Sequence, residues 1–191
     1  MTCLNLPRWS IAMAALVAAP LACGAGVSVG AGAGVDRGRV DCVATFACDR
    51  GSATGKLFLG YSVSEAIDVR AVFFDAGRFK GGGTTPLGTA FGGTFRVAGL
   101  GVTGGYRLPI APSWSVEGRA GLASVRTRFD HATPAVASAA KTTLQPLVGV
   151  GLGYAVTPSL RLSLDCDATR FKVHTTRGSL QLLGVTAQHS F

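Results

Sequence analysis

From Val27 onward the chain alternates apolar with small or polar residues, and it does so in eight successive runs. An alternation of that kind is the mark of a strand, whose side chains point to opposite faces in turn. Val27, Val29, Ala31, Ala33 and Val35 alternate with Ser28, Gly30, Gly32 and Gly34. Leu57, Leu59, Tyr61 and Val63 alternate with Lys56, Phe58, Gly60 and Ser62 before Ser64-Glu65 turns the chain back. The return arm sets Ile67, Val69, Ala71 and Phe73 on one side. Five further runs repeat the format over 91–106, 114–129, 142–156, 160–173 and 179–191. With 27 glycines in 191 residues a helical bundle is excluded, because each helix-interior glycine costs about 1 kcal/mol relative to alanine.

Residues of apolar type make up 48 % of the chain and charged ones 15 %, which excludes disorder driven by high charge and low hydrophobicity. No run reaches the roughly 18 apolar residues of a transmembrane helix. The connections differ in length by side. Those at 64–65, 108–113 and 157–159 are short; those at 36–53, 77–89 and 130–141 are long, and 174–178 is a short exception on the long side. Long strands in even number, with short turns at one end and longer loops at the other, are the pattern of a bacterial outer-membrane barrel. A soluble eight-stranded barrel shares the alternation but turns its apolar face inward. Here the second face is mostly Gly, Ser and Thr, a poor solvent face and a good filling for a narrow lumen. Tyr61, Tyr106, Trp114, Phe129, Tyr154, Phe171 and Phe191 lie near the expected strand ends and are expected to form interfacial girdles. The fold expected is all-β, an eight-stranded antiparallel up-and-down transmembrane β-barrel over 26–191.

The first segment reads as an address. Arg8 precedes the apolar run 11–22, and Cys23-Gly24-Ala25-Gly26 supplies small residues for cleavage, so 1–25 is expected to be a secretory signal peptide. Pro20-Leu21-Ala22 before Cys23 departs from a Leu-small-small lipidation box. Export leads to an oxidising compartment. Cys42 and Cys48, among the turn formers Asp41, Asp49 and Gly51, are expected to close a small disulfide loop, leaving Cys166 over. With no second cysteine pair and no nearby His, no zinc site is expected, and no cofactor is called for.

Several short motifs recur in order along the chain: Gly60-Tyr61-Ser62-Val63, the run 68–75 (DVRAVFFD), Gly104-Gly105-Tyr106, the run 151–158 (GLGYAVTP), and Leu183-Gly184-Val185-Thr186 leading to Phe191. Their order and spacing resemble the OmpA-like transmembrane domain and the opacity-type surface antigens. The resemblance implies an eight-stranded outer-membrane barrel exposed at the cell surface, with Phe191 as the terminal aromatic read by the barrel-assembly machinery. Two positions depart from the pattern: Arg70 stands where an inward Glu is usual, and His189 where an aromatic is common. No peptidoglycan-binding domain follows Phe191, so a periplasmic anchoring role is not expected.

On the inward faces Lys56, Arg70, Arg119 and Arg161 are set against Asp68, Glu117, Asp165 and Asp167. Desolvated charges must be paired, so these residues are expected to form an ion-pair network that plugs the lumen. The net charge of +8 gathers at the long-loop end, where Arg78, Lys80, Arg126, Arg128, Lys141, Lys172 and Arg177 are expected to form a basic surface-loop patch. Such cations suit the phosphates of lipopolysaccharide among the membrane lipids, or a host or matrix polyanion. Nucleic acid is not an expected partner of an exported chain, and a monomer is expected. The function expected is structural or adhesive rather than enzymatic, with a narrow porin-like channel as the alternative and a lipid A-modifying enzyme as a third. For that last reading Asp130 and His131 form the pair to test; His189-Ser190 is expected at the periplasmic terminus, and His131 and His174 are expected in loops without an evident Ser-acid partner. The run 51–56 (GSATGK) misses the phosphate-loop spacing and gives no nucleotide site.

Overall fold

The alternation resolves into eight strands: β1 (Val27–Arg39), β2 (Gly51–Ser62), β3 (Ile67–Thr84), β4 (Ala90–Pro109), β5 (Trp114–His131), β6 (Ala139–Ala155), β7 (Leu160–Val173) and β8 (Thr176–Ser190). They are seen in a computed structural model that describes residues 26–39, 51–84, 90–131, 139–173 and 176–191. Each strand pairs antiparallel with its sequence neighbours, and β1 pairs with β8 to close the barrel, so no edge is left to be hydrogen-bonded by anything else. Residues 1–25, expected to be a signal peptide, Cys42, Cys48, Arg50 and His174 lie outside the described residues, and with them the expected Cys42–Cys48 disulfide.

The three short connections are each closed by backbone bonds across the turn, as where Val63 and Ser64 donate to the Ile67 carbonyl at 2.9 and 3.1 Å. Side-chain hydroxyls support two of them: Ser64 Oγ accepts from the Ile67 amide and Thr157 Oγ1 from the Leu160 amide. At the other end the strands run further than the sequence suggests. β4 has 20 residues, β3 and β5 have 18 each and β6 has 17, so segments read as loops at 77–84 and 139–141 are strand. At roughly 3.3 Å per residue and the usual tilt, such strands outrun a hydrocarbon core about 30 Å thick.

The barrel therefore has two storeys with opposite polarity. In the turn-side storey Leu57, Leu59, Val102, Val116, Val150, Leu152 and Leu164 point outward, while the lumen holds Asp68, Arg70, Glu117, Arg119, Asp165 and Asp167. In the loop-side storey the lumen is apolar. Phe74, Phe95, Val97, Val125, Phe129, Leu147, Phe171, Leu180 and Leu182 form one buried cluster. Outside it stand Arg78, Arg96, Arg126, Arg128 and Arg170.

This corrects one part of the girdle expectation. Phe129 and Phe171 are 3 % and 1 % exposed and sit inside the loop-side plug, because both occupy the inward phase of strands that continue past the apolar belt. Tyr61, Tyr106, Trp114 and Tyr154 are exposed near the turn-side strand ends, with the Trp114 and Tyr154 rings 5.0 Å apart. Glycines make room for the plug. Gly99 and Gly178 are the register partners of Phe74 and Phe171, and a Cβ at either would strike the neighbouring ring.

One irregularity sets the phase of β3. Between Asp75 and Arg78 the register with β4 shifts, so that Ala76 and Gly77 together oppose Val97. Gly77 has φ of 65°, the left-handed region that a side chain resists, and its amide donates to Asp75 Oδ1 at 2.8 Å. The extra residue reverses which positions face out. Ile67, Val69, Ala71 and Asp75 face outward before the bulge, and Arg78 and Lys80 face outward after it.

Candidate functional site

In the turn-side lumen the charged residues meet across the barrel. Arg70 on β3 grips Glu117 on β5 with both terminal nitrogens, Nη1 at 2.7 Å and Nη2 at 2.8 Å, and Nη2 also donates to Asp68 at 2.8 Å. Its guanidinium carbon lies 4.8 Å from the centre of the Phe58 ring. Glu117 passes the chain on to Arg119, whose Nη1 donates to Glu117 Oε1 at 3.0 Å and to Asp165 Oδ1 at 3.1 Å. Arg119 Nη2 donates to Asp167 Oδ1 at 3.0 Å, and Lys56 on β2 closes the line with bonds to Asp165 at 3.0 Å and Asp167 at 2.7 Å. Thr186 Oγ1 and Ser163 Oγ also donate to Asp165. Glycines again permit the approach: a Cβ at Gly149 or Gly151 would fall against the Asp167 or Asp165 carboxylate.

Arg161 is placed differently. Its Nη1 donates to Ser115 Oγ at 2.8 Å, and no carboxylate among the described residues lies within ion-pair distance of it. Arg107, absent from the sequence reading, joins instead. It is the register partner of Glu117, with Nη2 3.5 Å from Asp68 and 3.7 Å from Glu117. The signal was available, since Arg107 keeps the inward phase of Thr103 and Gly105 along β4, one turn of alternation before Pro109 ends the strand. Asp36 is buried further toward the loops, where its Oδ1 accepts from the Ser52 amide.

Two cavities beside this network hold about 20 Å³ each, room for a single water. At this level the lumen is filled by side chains.

The basic residues expected in surface loops are on strands, which is a correction with a simple cause: the loop-side storey extends the sheet under them. Arg78 and Lys80 are on β3, Arg126 and Arg128 on β5, Lys141 on β6, Lys172 on β7 and Arg177 on β8. Their register positions differ. Lys141 is the register partner of inward Thr127, and Lys172 and Arg177 pair with each other on β7 and β8. Three arginines do come into line. Arg78 is the register partner of Arg96, and Arg96 of Arg128, so β3, β4 and β5 carry a row of like charge on the outer wall. Among the described residues the acid within ion-pair distance of the row is Asp130, which accepts from Arg128 Nε at 3.1 Å with both side chains well exposed. The His131 side chain lies outside the described residues. His189 stacks edge-on against Phe191 at 4.8 Å.

A closed eight-stranded sheet with apolar residues outside and paired charges within defines a transmembrane β-barrel. Residues 23–170 match the OmpA-like transmembrane domain, and the chain belongs to that family of bacterial outer-membrane barrels. No curated protein matches it significantly in sequence. Among solved structures it is similar to the Neisserial surface protein A, with a TM-score of 0.65, 18 % identity, and 88 % of this chain aligned to 99 % of that one. It is similar also to the attachment invasion locus protein Ail of Yersinia pestis (TM-score 0.53, 16 % identity, 86 % of this chain and 99 % of that one). Ail has been solved too with the heparin analogue sucrose octasulfate. The outer membrane protein OprG of Pseudomonas aeruginosa aligns at TM-score 0.52 and 12 % identity over 86 % of this chain and 96 % of that one.

Proposed function

We propose that this barrel is a non-enzymatic surface protein whose outer wall binds the phosphates of lipopolysaccharide through Arg78, Arg96 and Arg128. The observation that carries the reading is the row itself. Like charges placed directly opposite on neighbouring strands destabilise a sheet, and three in line call for an anion to neutralise them. Height supports the choice of anion. Along β4, Val102 and Leu100 face the lipid, Ala98 follows, and Arg96 is the next outward residue, which brings the row to the level of outer-leaflet head groups. Guanidinium groups bind phosphate with two parallel bonds, so three of them favour a phosphorylated sugar over a single carboxylate.

Sulfated polyanions outside the cell share this chemistry, and the binding of a heparin analogue by Ail favours adhesion to them as a second use of the same wall. Conduction is disfavoured by the filled lumen. The test is binding of purified lipopolysaccharide to the barrel in maltoside micelles. Replacing Arg78, Arg96 and Arg128 together by Ala is expected to weaken binding about a hundredfold at low salt, from about 1 kcal/mol per surface cation. Undiminished binding by a folded triple variant would overturn the assignment.

A further inference from the structure

At the opposite end of the barrel from the arginine row, the turn-side mouth opens into a cavity of about 300 Å³, far roomier than the two beside the ion-pair network. Its walls are Arg107 and Arg161 from the lumen, Ser115, Trp114, the proline-bearing turn from Pro109 to Ser113, and Glu65 at the rim. This space lies outside the ion-pair network but borrows its charge. The four carboxylates Asp68, Glu117, Asp165 and Asp167 face Lys56, Arg70, Arg119 and Arg107, and Arg161 is a fifth cation beside them. Inside the barrel the surplus positive charge therefore sits at the mouth, and Glu65 on the rim is the fifth acid.

Donors beside the cavity lack acceptors. Arg107 Nε and Nη2 are buried and have no hydrogen-bond acceptor among the described residues, the nearest carboxylate oxygens standing 3.5 and 3.7 Å away. Arg161 spends one nitrogen on the neutral Ser115 hydroxyl. Two guanidinium groups sharing one cavity repel each other unless an anion lies between them. We infer that the mouth is a binding site for a small phosphate-type oxyanion held by Arg107 and Arg161. A tetrahedral oxyanion presents acceptors in several directions and so takes bonds from both forks at once, which a planar carboxylate does less well. The cavity volume limits the site to a compact group. The same chemistry has two sources, free inorganic phosphate and the phosphate of an inner-leaflet phospholipid. Trp114 at the mouth stacks near Tyr154 at the membrane boundary, so it senses either.

The experiment uses tryptophan emission. The chain has two tryptophans, Trp9 and Trp114, so Trp9→Phe leaves Trp114 as sole reporter. In maltoside micelles free of phosphorus, one arm adds inorganic phosphate and the other adds phosphatidylglycerol. A saturable change in Trp114 emission in either arm supports the site and names its source. Arg161→Gln and Arg107→Gln should each weaken that response about tenfold or more, as expected for a lost charge-assisted bond, while Arg37→Gln at the far end should not. Heat-dependent gel mobility checks that each variant is folded, and Arg161→Gln disturbs just one hydroxyl bond. No saturable response in either arm, or a response in both arginine variants as strong as that of the parent protein, overturns the proposal.

Discussion

Arg119 and Arg128 show how differently one residue type works in two settings. Arg119 lies among Glu117, Asp165 and Asp167 with its side chain 7 % exposed, whereas Arg128 meets Asp130 with its side chain 56 % exposed. Removing Arg119 leaves Asp165 and Asp167 to Lys56 and Glu117 to Arg70, three buried carboxylates with one cation fewer. Arg119→Met is therefore expected to lower stability by about 3–5 kcal/mol, read from urea unfolding in micelles. Arg128→Met is expected to change it by no more than about 1 kcal/mol, since exposed pairs contribute little. Equal losses at the two sites would mean that the lumen is wet. The inward faces were legible at this scale from alternation, but partners were not. Period two places Arg161 and Glu117 on the same side of the sheet without revealing that Arg161 meets Ser115, or that Arg107 is the residue opposite Glu117.

Strands add a quantity that alternation hides, which is phase. Counting by twos from Ile67 puts residue 77 and residue 79 outside; the bulge at Gly77 hands that face to Arg78 and Lys80. Deleting Gly77 should turn both cations toward the apolar plug. The expected result is a less stable barrel whose lipopolysaccharide binding falls about fivefold, the share of Arg78 alone in the row, measured in the same micelle assay. Gly77→Val keeps the residue count, so binding should persist while stability falls by more than the roughly 1–2 kcal/mol of the left-handed backbone, because a Cβ there also strikes the Ala53 carbonyl and Ser52. Phase was illegible because Gly77 was read as the start of a loop, and a glycine in an apparent loop looks like any turn residue. Height was illegible for a related reason. Phe129 and Phe171 carry the right chemistry for a girdle, and no pattern along one strand says how far it continues past the membrane.

At the scale of the molecule, the eight strands, their antiparallel order and the outward apolar face could all be read from the sequence, because a barrel repeats the same signal on every strand. Cys166 offers a direct check of that outward face. It is exposed and is the register partner of Val150 and Leu183, both lipid-facing. In a variant with its other cysteines replaced by Ser, Cys166 should resist a water-soluble maleimide in bilayers and react once the barrel is unfolded in urea. Rapid labelling of the folded form in bilayers would place that wall in water. The two storeys have a further consequence for how such a protein can change. The loop-side half has the build of a small water-soluble protein, dry inside and charged outside, standing on a half that belongs to the membrane. It packs around its own buried cluster, so it serves as a mount for the strand ends beyond the apolar belt. Segments carried on such a mount can be exchanged for others without disturbing the part that inserts, and new binding specificities can be grafted there while the anchor stays the same.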